Sequence, residues 1–86
     1  MKISVELTFS PLQDDFEQEV IEFIKRLRKS GLKIIENPLT TQVFGDYDKV
    51  MNLLQDEIKT AFEGIDRGLF HIKIVKSDLS NHEPSY

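Results

Sequence analysis

From Lys2 to Phe9 the chain alternates without a break: Ile3, Val5, Leu7 and Phe9 take one parity, and Lys2, Ser4, Glu6 and Thr8 take the other. Successive side chains of an extended strand point to opposite faces, so the pattern predicts a strand with one covered and one open face. Such a strand needs a second layer over its apolar row and neighbours that pair its backbone. The chain has 86 residues from which to build both. That is enough for one core, with only roughly 60–65% of the unfolded chain's surface removed from water. Support from a second copy is therefore expected.

The rest of the chain offers candidates for the missing layer and the missing strands. Ser10, Pro11 and Gln13 read as an N-cap, a first-turn proline and a capping-box glutamine. Asp14 and Asp15 would complement the positive end of a helix dipole, which is a sufficient reason for two adjacent acids there. Phe16, Val20, Phe23, Ile24 and Leu27 recur at helical spacing, and Arg28 and Lys29 precede Gly31, so a helix is expected over about 12–30. Leu32 to Asn37 and Thr40 to Phe44 read as two short strands separated by Pro38-Leu39. After Gly45-Asp46, the spacing of Val50, Leu53, Leu54, Ile58, Ala61 and Phe62 predicts a helix over 47–63. Phe70 to Val75 alternates again and gives a last strand.

The order βαββαβ predicts an α+β, ferredoxin-like fold: a four-stranded antiparallel sheet with both helices on one face. It fills residues 1–76 as a single domain, and the polar tail 77–86 is expected to be mobile unless a partner orders it. The other sheet face would be open and polar, carrying Ser4, Glu6 and Thr8 from the first strand and His71 and Lys73 from the last.

Composition narrows the chemistry. A formal charge of −4 opposes the phosphate backbone, and the basic run Lys25-Arg26-Arg28-Lys29 reads as a solvated helix face. Phe44 is the only aromatic expected on the open face of the third strand, too few for a base-stacking platform, so no nucleic-acid partner is expected. The absence of cysteine removes disulfides, thiolate nucleophiles and Cys-based zinc sites, and His71 and His82 have no metal-ligand spacing. The four glycines stand apart, with no phosphate-cradling loop. No catalytic residues, metal or cofactor are expected, and a binding role is. Short apolar runs and a strand that starts within the first positions leave no candidate signal or membrane segment, so the default expectation is a cytoplasmic location and no membrane partner. Two polar residues of the open face draw notice. His71 reads as a surface or interface residue, and Glu6 either as a solvated or interface glutamate or as a group that recognises a protonatable nitrogen heterocycle.

Three stretches carry a family resemblance. Thr8-Phe9-Ser10-Pro11-Leu12-Gln13-Asp14-Asp15-Phe16 resembles the opening stretch of the YkoF-like proteins that bind thiamine or hydroxymethylpyrimidine. Asn37-Pro38-Leu39-Thr40-Thr41-Gln42-Val43-Phe44-Gly45 is similar to a proline- and threonine-bearing segment of that family and of its short single-domain relatives. Asp46-Tyr47-Asp48-Lys49-Val50-Met51 continues it as the family's second helix opens. The resemblance spans roughly residues 2–76. It implies binding of a small molecule, thiamine or its hydroxymethylpyrimidine part, without turnover, by domains that pair through their sheets into a homodimer or homotetramer. Residue by residue, it points to Thr8 and Thr41 as the principal ligand contacts, with Thr40 beside them. Ser10 stands where longer members carry a tyrosine, a departure that bears on ligand identity. Glu6, Gln42 and Phe44 are further candidates by position, as an aminopyrimidine offers a flat face and a donor–acceptor edge. The alternative is an oligomerisation module without a ligand, whose polar sheet face is a subunit interface.

Overall fold

The computed structural model describes residues 1–81. The elements are β1 (Lys2–Pro11), α1 (Phe16–Arg28), β2 (Lys33–Glu36), β3 (Thr41–Asp46), α2 (Tyr47–Glu63) and β4 (Gly68–Val75). The four strands form one sheet in the order β2-β3-β1-β4, every adjacent pair antiparallel. This is the ferredoxin-like α+β arrangement.

Register decides which side chains meet. Val5 lies opposite Val43 on β3 and Ile74 on β4, while Ile34 on β2 extends that row through Val43. Ile3, Val5, Leu7, Phe9 and Val43 are buried together with Phe23 and Leu27 of α1 and Val50, Leu54 and Ala61 of α2. Each large apolar side chain removed from water contributes about 1.5–3 kcal/mol, so this row and the two helix faces supply most of the driving force. Phe9 stacks on Phe70 at 4.5 Å between ring centroids, and Phe23 meets both edge-on at 5.6 and 5.1 Å.

The N-terminus of α1 differs from the sequence expectation. Ser10 and Pro11 are strand, paired with Leu69 and Gly68, and the Leu12 N–H donates to the Arg67 carbonyl at 2.9 Å. Adjacent N–H groups of a strand point to opposite sides. The Leu12 N–H faces β4, so the donor that Pro11 lacks would face β3, whose ladder with β1 ends at Leu7–Thr41. The proline therefore costs no ladder bond, and pairing with β4 outweighs the local capping signal. The helix starts at Phe16 behind an Asp15 N-cap that makes no side-chain capping bond. It also ends earlier than expected, at Arg28, and Gly31 at φ +85° turns the chain into β2.

Two further differences concern the sheet. The helices cover β1 and β3 but leave the helix-side row of edge strand β4 largely open, with Ile72 42% and Ile74 48% exposed. The start of the tail is packed rather than free. The Ser4 hydroxyl donates to the Ser77 carbonyl at 2.7 Å and accepts from the Leu79 N–H at 2.9 Å. Lys33 Nζ donates to the Ser80 carbonyl and Asn81 Oδ1 at 3.2 and 3.1 Å. Residues 77–81 thus cross the open face from β4 to β2. His82 and the residues after it lie outside the described residues.

Candidate functional site

β1 outruns β3. Beyond the Leu7–Thr41 pair its last residues have β4 on one side and only the β2–β3 connection on the other. The connection is a tight turn built on Asn37, whose Oδ1 accepts the N–H groups of Leu39 and Thr40 at 2.9 and 3.0 Å. Asparagine in a turn does this because its short side chain mimics a backbone carbonyl. Two hydroxyls tie the turn to β1: Thr40 Oγ1 donates to the Leu7 carbonyl at 3.2 Å and Thr8 Oγ1 to the Leu39 carbonyl at 3.5 Å.

The gap left by the missing ladder is a cavity of about 390 Å³, roofed by the first turns of α1. Its apolar wall includes Leu7, Phe9, Phe16, Val20, Phe23 and Ile24. Its polar residues are Thr8, Ser10, Thr40, Thr41 and Asn37, and among the described residues no ionisable side chain lines it. The size and this mixture of apolar wall and few polar groups match small-molecule pockets, which run roughly 300–1,000 Å³. Thr41 is 7% exposed, and among the described residues its hydroxyl has no hydrogen-bond partner.

The sequence candidates fall into two groups. Thr8, Ser10, Thr40 and Thr41 come together in this cavity, while Glu6, Gln42 and Phe44 lie on the open sheet face. There, with Ser4, Lys73, Val75 and Leu79, they line a second depression of about 370 Å³. Lys73 Nζ sits 3.8 Å from the Glu6 carboxylate. Phe44 is only 6% exposed although it belongs to the open face, where the tail residue Leu79 lines the same depression. Register explains part of the division: Gln42 and Phe44 share the parity of Glu6 and Ser4, whereas Thr41 shares that of Leu7. Thr8 and Ser10 have the parity of Glu6 but border the cavity because β1 continues past the end of β3. The sequence reading placed Asn37 at the end of a strand and Leu39 in the connection, whereas β2 ends at Glu36 and both belong to the turn. The run of asparagine, proline and threonine is nevertheless the signal of a side-chain-anchored turn.

Charges elsewhere serve the scaffold. Arg28 donates to both oxygens of Glu36, at 2.7 and 2.6 Å, and these hydrogen bonds hold the Glu36 carboxyl below its ordinary range. Asp78 is likewise held low, by the hydroxyl and N–H of Ser80. Among the described residues no three His, Cys, Asp or Glu side chains gather to hold a metal ion, and no helix is long and apolar enough to cross a membrane.

The family model described as "Thiamine-binding protein" matches residues 5–81. The chain belongs to that family. The match runs past β4 and includes the packed start of the tail. No curated protein matches the chain. Among solved structures, a protein of Streptococcus pneumoniae is 22% identical, with a TM-score of 0.84 over 94% of this chain and 92% of its own. A candidate thiamine biosynthesis/salvage protein of Thermotoga maritima is 18% identical, with a TM-score of 0.81 over 90% and 85%. A hypothetical protein of Methanocaldococcus jannascii is 24% identical, with a TM-score of 0.77 over 95% and 84%. At these identities the three likenesses speak for the fold.

Proposed function

We propose that the cavity between β1, the Asn37–Thr40 turn and α1 binds thiamine through its hydroxymethylpyrimidine part, without turnover. The protein would act as a homo-oligomer in the cytoplasm, in thiamine salvage or transport. The observation that carries the reading is the Thr41 hydroxyl, which has no hydrogen-bond partner among the described residues, in an apolar cavity that none of their ionisable side chains lines. A neutral aminopyrimidine satisfies such a wall: its flat face takes the aromatic and aliphatic side chains, and its donor–acceptor edge takes hydroxyls and the Asn37 amide. The thiazolium cation has no counter-charge inside and would stay in solvent, where desolvation costs it nothing. Membership of the thiamine-binding family supports the ligand class.

Thr8, Thr40 and Thr41 are the proposed ligand contacts, with Ser10 at the end of the row. Glu6 and Gln42, across the sheet, are proposed to face a second copy, while Phe44 on the same face lies beside the tail residue Leu79. The open edge of β4, with Ile72 and Ile74 exposed beside it, favours association as well, and a purely structural oligomer is the second reading. Isothermal titration with thiamine and, separately, with hydroxymethylpyrimidine tests the proposal. Saturable binding of both is expected. Absence of heat with either, from folded protein free of co-purified ligand, would leave the structural oligomer.

A further inference from the structure

Residues 77–81 lie across the open face along a single row. In register, Val75 of β4, Ser4 of β1, Phe44 of β3 and Lys33 of β2 stand side by side. Ser77 turns back at the end of β4, its N–H donating to the Val75 carbonyl at 3.0 Å. The tail is then fixed at both sides of the sheet, by Ser4 near β4 and by Lys33 on β2. Between these anchors Asp78 Oδ1 accepts from the Ser80 N–H and hydroxyl at 3.0 and 2.6 Å, which stiffens the turn carrying Leu79. The result is that Ser4 and Phe44 are each only 6% exposed on a face that is otherwise open.

We infer that residues 77–81 are an intramolecular strap that competes with a second copy of the chain for the open sheet face. The uncovered part of that face suits such a copy. Glu6 and Lys73 stand next to each other on β1 and β4, so a copy placed face to face about a two-fold axis can set each acid against the other copy's base. The strap occupies the adjacent row, which holds Phe44, and keeps sheet-to-sheet packing from reaching it. Its anchors are side-chain hydrogen bonds and one leucine that is still 43% exposed, so it is held weakly enough to be displaced.

The inference rests on the homo-oligomer reading, and one experiment separates the two. Sedimentation equilibrium is run on the full chain and on a chain ending at Lys76, with circular dichroism confirming that both are folded. The truncated chain is expected to self-associate at least tenfold more tightly than the full chain. Should truncation prevent folding, Leu79→Ser combined with Lys33→Ala loosens the strap in the full-length chain, and the same tightening is expected. Equal or weaker association of the strap variants overturns the strap while leaving an oligomeric full chain in place. Chains that are all monomeric overturn both readings.

Discussion

At the scale of single residues, Thr41 separates binding from stability. Its side chain sits in the buried row beside Leu7, and its hydroxyl has no partner among the described residues. Thr41→Val keeps the β-branched shape that a strand favours and removes only the hydroxyl. The variant is expected to fold with unchanged or slightly higher stability, because no internal hydrogen bond is lost. Affinity for hydroxymethylpyrimidine is expected to fall by about three- to tenfold, the effect of one hydrogen bond of roughly 0.5–1.5 kcal/mol. Titration of the two proteins side by side checks this, and equal affinities would remove Thr41 from the site. Asn37 contrasts with it. Its oxygen is committed to the Leu39 and Thr40 N–H groups, so Asn37→Ala should loosen the turn and lower affinity and melting temperature together.

At the scale of elements, the sequence was most legible where one pattern acted alone. The alternation in β1 placed Ile3, Val5, Leu7 and Phe9 in the core, and the helical spacing of α2 gave its full span. It was least legible at Ser10-Pro11, where a capping pattern and a strand competed. The winning interaction, pairing with Leu69 and Gly68, lies almost sixty positions away and leaves no local signature. That misread boundary is also the reason the cavity was not visible: it exists because β1 continues after β3 has stopped. The separation of Thr41 from Gln42 and Phe44 follows from register, and the place of Thr8 and Ser10 from the unequal lengths of β1 and β3, neither of which a sequence read strand by strand fixes.

The elements also differ in what holds them. Phe23 on α1 is 1% exposed, meets Phe9 and Phe70 edge-on and lines the cavity. Phe23→Ala is expected to cost about 3–5 kcal/mol, a large part of the stability of a domain this small, read as a shifted denaturation midpoint. The far end of α1 is fastened to β2 by Arg28 and Glu36 at the surface. Because Arg28 lowers the folded-state pKa of Glu36, the contribution is present above the carboxylate's unfolded value and fades as pH falls through the depressed one. Urea denaturation of wild type and Arg28→Met should differ slightly at neutral pH, and the difference should vanish in acid. A difference that persists there would mean that packing of the arginine stem, and not its charge, ties α1 to β2.

For the whole molecule, ligand binding and folding are one equilibrium. The cavity is assembled from β1, the turn after β2, the start of β3 and the roof of α1, so no part of it survives unfolding. A ligand that binds only the folded chain stabilises it by RT ln(1 + [L]/Kd), about 2.7 kcal/mol at a hundredfold excess over Kd. Small domains gain roughly 4–8 °C in melting temperature per kcal/mol, which predicts a rise of roughly 10–20 °C with saturating thiamine. Association of subunits also raises melting temperature, so the protein concentration must be held constant between scans. Hydroxymethylpyrimidine, brought to the same multiple of its own Kd, should give the same rise, because the argument depends on saturation and not on the thiazolium. Comparing the two ligands at equal concentration then measures what the thiazolium adds. If the cavity takes the pyrimidine alone, the two curves nearly coincide in wild type and both move toward the ligand-free curve in Thr41→Val. A rise with thiamine but none with hydroxymethylpyrimidine would place the recognised group elsewhere, with the Glu6 carboxylate on the open face as the next position to test.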